Sequence, residues 1–155
     1  MAWAAPPHLP PMSPVTVQCV VDAARSQHVP LAGLVAIMAA ERGQVGQVMQ
    51  NSNGTRDIGP GQINSSWLDR LAARRISEEV LLNNGCVNVL SAAWIFHQAL
   101  VQMKGDVWAA IGLYHSRRGL LALDYQRRVY HLLRSRLNVK DVVARANRGL
   151  GVGVG

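Results

Sequence analysis

Two acidic residues in the first half of the chain are placed for acid–base chemistry. Glu41 ends an apolar helical stripe that carries Leu34 and Met38. A helix C-terminus and an apolar surface both disfavour negative charge, so this carboxyl group is expected to keep its proton. Asp57 follows in a polar, turn-rich stretch and is expected to be ionised. A protonated and an ionised carboxyl group facing one cleft are the arrangement by which glycosidases cleave a glycosidic bond.

Each acidic residue also fits a purely structural role. Glu41 is equally consistent with an exposed position at a frayed helix end, or with an ion pair to Arg42. Asp57 is equally consistent with a turn residue whose side chain hydrogen-bonds its own backbone. Residue types alone therefore leave the catalytic and the structural interpretations open.

The periodicity of apolar residues predicts the helices that would position these groups. Ser13 followed by Pro14 predicts the start of a first helix that ends near His28. A second helix is predicted from Leu31 to about Arg42. Five further helices are predicted: one capped by Asn64 or Ser65 that runs through Leu68, Leu71 and Ala72, and then Ser77 to Asn83, Cys86 to Met103, Asp106 to Tyr114, and Leu120 to Leu137.

An irregular stretch follows the second helix. From Gly43, the predicted stop of that helix, to Gly61 the helical period disappears and turn-forming residues take over. Asn53-Gly54 is a strong hairpin signal, so a short, irregular β-like excursion is predicted near residues 50–62. The predicted fold class is mainly α, with about seven helices.

Length and composition favour one domain without a cofactor. The chain has 155 residues, of which 49% are hydrophobic and 16% charged, which is enough for a buried core. Its longest nearly apolar run, residues 31–40, has about half the length that spans a bilayer. No Gly-rich phosphate loop, zinc-type Cys/His spacing or internal repeat occurs in the sequence. No cofactor and no metal are expected, and the domain is predicted over residues 14–138, between a Pro-rich extended lead (1–13) and a basic, then Gly-rich, flexible tail (139–155).

Positive charge is concentrated in the C-terminal part of the chain. Of the 16 Lys and Arg residues and the 9 Asp and Glu residues, nine basic and two acidic ones fall between residues 117 and 148. Such a face attracts polyanions, among them nucleic acid, acidic lipid and the carboxylate-bearing polymers of a bacterial wall. A solvated helix face with no fixed partner explains the same pattern.

The two cysteines, Cys19 and Cys86, are 67 residues apart, too far for a metal knuckle. A disulfide and two reduced core cysteines are both consistent with this spacing. Residues 1–14 have neither the basic nor the apolar region of an intact signal peptide. These patterns alone leave the compartment open.

Seven short motifs follow one another along residues 15–135. They are Glu41-Arg42-Gly43, Asn51 to Gly59, Gln62-Ile63-Asn64, Trp67-Leu68, Asn84-Gly85-Cys86, Ala92-Ala93-Trp94 and Gly112 to His115. This ordered series resembles the lysozyme-like lytic transglycosylases of the SLT domain type. Within them the chain is most similar to the specialised group that accompanies type III and type IV secretion, conjugation and type IV pilus machines. The resemblance implies a lysozyme-like fold, with the helices arranged around a cleft.

The resemblance also implies roles for individual residues. Glu41 would be the one indispensable acid and base, and Asp57 stands where animal-type lysozymes have a second catalytic carboxylate. The implied substrate-binding residues are Gln62 at the cleft floor, Tyr114 beside the acid or the N-acetyl group, Asn64, His115 and Tyr125. Cys19 and Cys86 match the family's disulfide between the first and fifth helices, which implies export to the periplasm.

Three of the motifs depart from the family pattern. Arg42 replaces the usual Ser after the acid, Pro60-Gly61 replaces Leu-Met, and His115 replaces the usual Asn. The missing Met side chain at Gly61 is expected to remove an apolar contact to the sugar. His115 is expected to keep a hydrogen-bonding role that is sensitive to pH.

The implied activity is cleavage of the β-1,4 bond between N-acetylmuramic acid and N-acetylglucosamine in peptidoglycan, with formation of a 1,6-anhydro ring. The expected partners are glycan strands and components of a secretion, conjugation or pilus machine. No specific nucleic acid and no membrane span are expected, and the chain is expected to be a monomer. Two alternatives stay open: a lysozyme-type hydrolase that uses Glu41 and Asp57, and a non-catalytic assembly or nucleic-acid-binding module that uses the basic C-terminal helix.

Overall fold

The chain is mainly α-helical, with one small sheet between its second and third helices. The structure is a computed structural model and describes residues 11–116 and 119–150. The helices in this part of the chain are α1 (Val17–Ser26), α2 (Leu31–Glu41), α3 (Leu68–Ala73), α4 (Glu78–Asn83), α5 (Gly85–Gln102), α6 (Val107–His115), α7 (Gly119–Arg134) and α8 (Val139–Ala146). The strands are β1 (Val48–Gln50), β2 (Arg56–Ile58) and β3 (Ile63–Asn64), and two 3-10 turns cover Ser65–Trp67 and Arg148–Leu150. The predicted fold class, mainly α with a short β-like excursion near residues 50–62, is confirmed.

Helix α2 forms the centre of the core. Leu34, Ala36 and Ile37 have no exposed surface, and α2 contacts α1, α5, α6, α7 and α8. A helix that is apolar on all sides is stable only when other elements surround it. Since α2 ends at Glu41, this packing carries the carboxyl group to the edge of the core.

The small sheet positions the second acidic residue. β1, β2 and β3 are antiparallel neighbours in that order, and Asp57 on the central strand pairs with Asn64. At the predicted hairpin turn, the Asn53 side chain accepts hydrogen bonds from the N–H and the hydroxyl of Thr55. Gly54 has a φ of 86°, which glycine adopts without steric cost. The predicted hairpin signal therefore marks a real turn.

The first helix begins later than predicted. Its N-cap is Thr16, whose hydroxyl accepts a hydrogen bond from the Cys19 N–H, and not Ser13. Ser13 is paired with a distant part of the chain: its N–H donates to the Asn83 carbonyl and its carbonyl accepts from the Gly85 N–H. This tertiary pairing overrides the local Ser-Pro start signal.

The second helix ends close to the predicted position, but for a different reason. The left-handed residue after it is Arg42, with a φ of 60°, and not Gly43. Gly43 is required by a close approach, because a Cβ at this position would lie 1.9 Å from the Gly59 carbonyl oxygen. The end of α2 therefore packs directly against the turn that leads into β3.

Helix α8 corrects the predicted domain boundary at residue 138. The sequence predicts a flexible tail over residues 139–155, yet α8 packs on the domain with Val142, Val143 and Ala146 buried. These three residues form a short apolar stripe on one face of the helix. The stripe is not evident from the composition of the segment, because basic residues surround it. The packed part of the domain thus continues beyond the predicted end.

A side chain at the end of α8 joins the two ends of the described chain. The buried Asn147 accepts a hydrogen bond from the Val15 N–H and donates one to the Val15 carbonyl, both at 2.8 Å. Such a contact satisfies both backbone groups of a buried residue. The remainder of the predicted lead, residues 1–10, and of the predicted tail, residues 151–155, lies outside the described residues.

A disulfide connects Cys19 of α1 to Cys86 at the start of α5. This pairing, which the resemblance implied, is confirmed. Among the helices that the structure describes, none is long and apolar enough to cross a bilayer.

Candidate active site

One large cavity brings together six of the seven predicted catalytic and substrate-binding residues. It has a volume of about 850 Å³ and is bordered by the sheet, α5 and α6. We call it the cleft. Its lining includes Glu41, Asp57, Gln62, Asn64, Tyr114 and His115. Tyr125 is the one predicted residue that does not line it.

Glu41 enters the cleft from the C-terminal end of α2, with only 11% of its side chain exposed. His115, at the end of α6, places its Nδ1 atom 3.4 Å from Oε1 of this carboxyl group. The imidazole ring stacks on the Tyr125 ring, with centroids 4.4 Å apart and an angle of 2° between the planes. The candidate acid therefore has a polar neighbour whose own orientation is fixed.

Tyr125 lies beneath the cleft and is 1% exposed. Its hydroxyl has no hydrogen-bond partner of normal geometry among the residues that the structure describes. Burial raises the pKa of Tyr125 well above its usual value, and the charge of Glu41 raises it further. The structure thus places a neutral O–H donor beside the acid, whereas the resemblance implied a contact with substrate.

Tyr114 ties α6 to the turn between β2 and β3. Its hydroxyl donates a hydrogen bond of 2.7 Å to the Gly61 carbonyl. Burial raises the pKa of Tyr114 well above its usual value, and the charges of Glu41 and Asp57 raise it further. Tyr114 is therefore within electrostatic reach of both acidic groups, while its proton is held by the backbone of the turn.

Asp57 is oriented by two side-chain amides. Asn51 Nδ2 donates to one carboxylate oxygen at 3.1 Å, and Asn64 Nδ2 donates to the other at 2.9 Å. Both amide groups also donate to the Thr55 hydroxyl. Asn64, which the resemblance assigned to substrate binding, thus directs its amide hydrogens to neighbouring protein side chains.

Gln62 lies at the cleft floor in a tight turn. Its φ is 48°, and its Nε2 donates to the Gly59 carbonyl at 3.0 Å. The preceding Gly61 is buried, and a Cβ there would lie 2.8 Å from the Ala92 Cβ and 3.1 Å from the Tyr114 hydroxyl. The packing against Ala92 and Tyr114 therefore favours glycine at position 61, and the loss of a sugar contact there stays a prediction.

Asn88 supports the site from behind and was missed by the sequence analysis. This fully buried residue of α5 donates to the Ile58 and Leu81 carbonyls at 3.0 Å each, and it accepts from the Gly61 N–H at 2.8 Å. One side chain thereby fixes both sides of the turn that carries Gln62. The available signal was an asparagine in the mostly apolar helix α5, because buried polar groups are almost always hydrogen-bonded.

A comparison with known families agrees with this fold and this cleft. Residues 18–131 match the family model of the transglycosylase SLT domain, and the match covers well over half of the chain. The chain belongs to the SLT family. The resemblance noted in the sequence motifs is thereby confirmed, and the helices and cleft described above are those of an SLT domain.

Curated relatives of this SLT domain are similar over part of their length. Invasion protein IagB of Salmonella typhimurium is 32% identical over 83 residues, which are 54% of this chain and 51% of that protein. Protein IpgF of Shigella flexneri is 33% identical over 99 residues, which are 63% of this chain and 64% of that protein. The chain thus spans from about half to just under two thirds of the curated relatives that it matches.

The charges that line the SLT cleft are few. Among its described lining residues, Glu41 and Asp57 are the acidic side chains and Arg70 is the one lysine or arginine. No group of three or more His, Cys, Asp or Glu side chains in the described part of the chain is placed to hold a metal ion.

Proposed function

We propose that this SLT chain is a peptidoglycan lytic transglycosylase that cleaves the β-1,4 bond between N-acetylmuramic acid and N-acetylglucosamine. The position of Glu41 carries the proposal. It ends a buried helix, opens into the cleft with 11% of its side chain exposed, and lies beside His115 and Tyr125. A general acid needs this combination of low solvent exposure and access to a substrate cavity.

The proposed reaction uses one carboxyl group twice, first as an acid and then as a base. In the first step the Glu41 carboxyl group gives its proton to the glycosidic oxygen, and the bond from that oxygen to C1 of the muramoyl sugar breaks. In the second step the Glu41 carboxylate takes the proton of the muramoyl 6-hydroxyl, whose oxygen bonds to C1 and closes the 1,6-anhydro ring. The acid is regenerated and no water is consumed. The Tyr125 hydroxyl is suited to stabilise the carboxylate between the two steps by a charge-assisted hydrogen bond.

Asp57 favours a second candidate, a lysozyme-type hydrolase. Its two carboxylate oxygens are held by Asn51 and Asn64 in the same cleft as Glu41. In this mechanism Asp57 stabilises the positive charge that develops at C1, and a water molecule attacks in place of the 6-hydroxyl. The two candidates therefore differ in their product, which ends either in an anhydro ring or in a reducing sugar.

The site is less suited to a nucleic-acid-binding module. The acidic side chains of the cleft, Glu41 and Asp57, offer no positive charge to a phosphate backbone. Of the tyrosines of the basic helix α7, Tyr125 is buried and offers no ring face to bases, and the Arg134 guanidinium lies 5.7 Å from the Tyr130 ring centroid.

The periplasm is the compartment that fits this activity. The disulfide between Cys19 and Cys86 is favoured in an oxidising compartment, and peptidoglycan is the substrate expected of an SLT domain. One relative is named an invasion protein. The proposal therefore extends to local opening of the wall for a secretion, conjugation or pilus apparatus.

Digestion of purified sacculi, with the soluble products separated by mass, tests the proposal. A transglycosylase releases anhydro-ended muropeptides, a hydrolase releases reducing-ended ones, and a binding module releases neither. Glu41→Gln is expected to abolish release at an unchanged melting temperature, because the amide keeps the shape of the acid but cannot exchange a proton. Glu79→Gln is the matched control, since Glu79 is exposed on α4 and does not line the cleft. Release by Glu41→Gln at the rate of the parent chain would show that the acid is wrongly assigned.

A further inference from the structure

A second, smaller cavity adjoins the cleft through a pair of tryptophans. It has a volume of about 410 Å³, and Trp94 is part of its wall. Trp67, which lines the cleft, meets Trp94 edge to face with ring centroids 5.7 Å apart. One ring of the pair thus belongs to each cavity, so the two cavities are neighbours at the tryptophan pair.

An arginine side chain packs on each of these tryptophan rings. The Arg70 guanidinium lies 4.8 Å from the Trp67 ring centroid, and the Arg74 guanidinium lies 4.8 Å from the Trp94 ring centroid. A cation–π contact orients the guanidinium plane and leaves its edge N–H groups able to donate. Neither arginine has a carboxylate partner within the described ranges 11–116 and 119–150.

The two arginines form the basic end of an otherwise acidic site. Arg70 is the one lysine or arginine among the described residues of the cleft, whose acidic side chains are Glu41 and Asp57. Arg74 adds a second positive charge in the smaller cavity. An anionic group attached to a ligand in the cleft is therefore attracted toward the tryptophan pair.

We propose that Arg70, Arg74 and the smaller cavity bind the peptide stem that hangs from N-acetylmuramic acid. This inference rests on the proposed function, which puts the glycan in the cleft. A stem peptide combines methyl side chains with free carboxylates. The smaller cavity offers the apolar side chains of Ile76 and Leu90 next to Arg74, and a guanidinium binds a carboxylate through two parallel hydrogen bonds. The site thus selects strands that bear stems over strands that have been stripped of them.

Two forms of one substrate test the selection. Glycan strands are prepared from sacculi, and half of them are stripped of stems with an amidase. The parent chain is expected to show a higher kcat/KM on stem-bearing strands. The double variant Arg70→Gln with Arg74→Gln is expected to lower the ratio of kcat/KM for stem-bearing over stripped strands by about tenfold, because it removes charge-assisted hydrogen bonds to the stem. Arg75→Gln is the control for the loss of a neighbouring positive charge: Arg75 is exposed and lines neither cavity, and this variant is expected to keep the ratio of the parent.

The outcomes separate this inference from the proposed function. An unchanged ratio, or an equal loss on both substrates, would overturn the stem site. Titration calorimetry with a soluble muropeptide and with the disaccharide lacking peptide gives a readout without turnover. If the parent cleaves neither substrate but binds the muropeptide more tightly than the disaccharide, and the double variant loses that preference, the transglycosylase proposal fails and the stem site stands. Equal affinity of the parent for both ligands would overturn the stem site.

Discussion

At the scale of single residues, the surroundings of Glu41 are built as a stack. His115 contacts the carboxyl group, and its ring lies flat on Tyr125, which is buried below it. The family usually has Asn where this chain has His115, and an amide offers no aromatic face for such stacking. The replacement of Asn by His at residue 115 is therefore accommodated by the site, because stacking on Tyr125 fixes the plane of the imidazole next to Glu41.

Tyr125→Phe is expected to reduce the loss of stability at alkaline pH. The folded pKa of Tyr125 is raised, by burial first and by Glu41 next, so the folded chain holds this proton more tightly than the unfolded chain does. The stabilisation is fully present below the unfolded tyrosine pKa of about 10 and is lost as pH rises above it. At pH 7 the variant is expected to stay within about 1 kcal/mol of the parent, since the hydroxyl that is removed makes no hydrogen bond of normal geometry within the described residues.

Urea unfolding at several pH values between 7 and 11 measures this effect. Tyr130→Phe is the control, because Tyr130 is 45% exposed and its substitution should leave the pH dependence of the parent unchanged. If Tyr125→Phe and the parent lose stability with the same slope above pH 10, the buried proton at Tyr125 is not the cause of the alkaline loss.

At the scale of elements, three helices fix the turn between β2 and β3. Asn88 of α5 binds the turn on both sides, Tyr114 of α6 donates to Gly61, and Gly43 at the end of α2 packs against Gly59. The turn itself is too short to hold a unique shape by its own hydrogen bonds. The cleft floor is therefore positioned by side chains from helices that the local sequence of the turn does not contain.

Asn88→Ala is expected to lower the free energy of unfolding by about 3 kcal/mol, because it removes hydrogen bonds to two buried carbonyls and one buried N–H. For a chain of this length, that corresponds to a melting temperature lower by about 10 °C. Activity is expected to fall as well at temperatures where the variant is fully folded, since the turn carries Gln62.

Asn138→Ala calibrates the measurement. Asn138 caps α8 through one hydrogen bond to the Lys140 N–H, and the loss of a cap costs about 1 kcal/mol. Thermal unfolding of both variants compares a local cap with the longer-range support that Asn88 provides. Equal melting temperatures for Asn88→Ala and the parent would exclude the supporting role.

At the scale of the whole molecule, local signals were predictable and long-range ones were not. The sequence predicts helix starts at Ser77 and Asp106, because a cap needs only the next three residues, and both side chains accept an N–H bond as caps. The packing of α8 depends on Asn147 and Val15, which are 132 residues apart, and no local pattern contains both. Six of the residues that the motifs predicted line one cleft. That Tyr125 lies beneath the cleft follows only from the fold.

The disulfide between Cys19 and Cys86 gives the last prediction, because it joins α1 to the start of α5 across 67 residues. A cross-link that closes a loop of this length lowers the entropy of the unfolded chain and so stabilises the folded state by about 4 kcal/mol. Reduction is therefore expected to shift the urea midpoint down by about 2 M, given a slope of about 2 kcal/mol per M for a small domain. The Cys19→Ala, Cys86→Ala double variant should unfold at the reduced midpoint with or without reductant. An identical midpoint for oxidised and reduced parent, or two titratable thiols in denatured protein from an oxidising compartment, would refute the bridge and remove its support for a periplasmic setting.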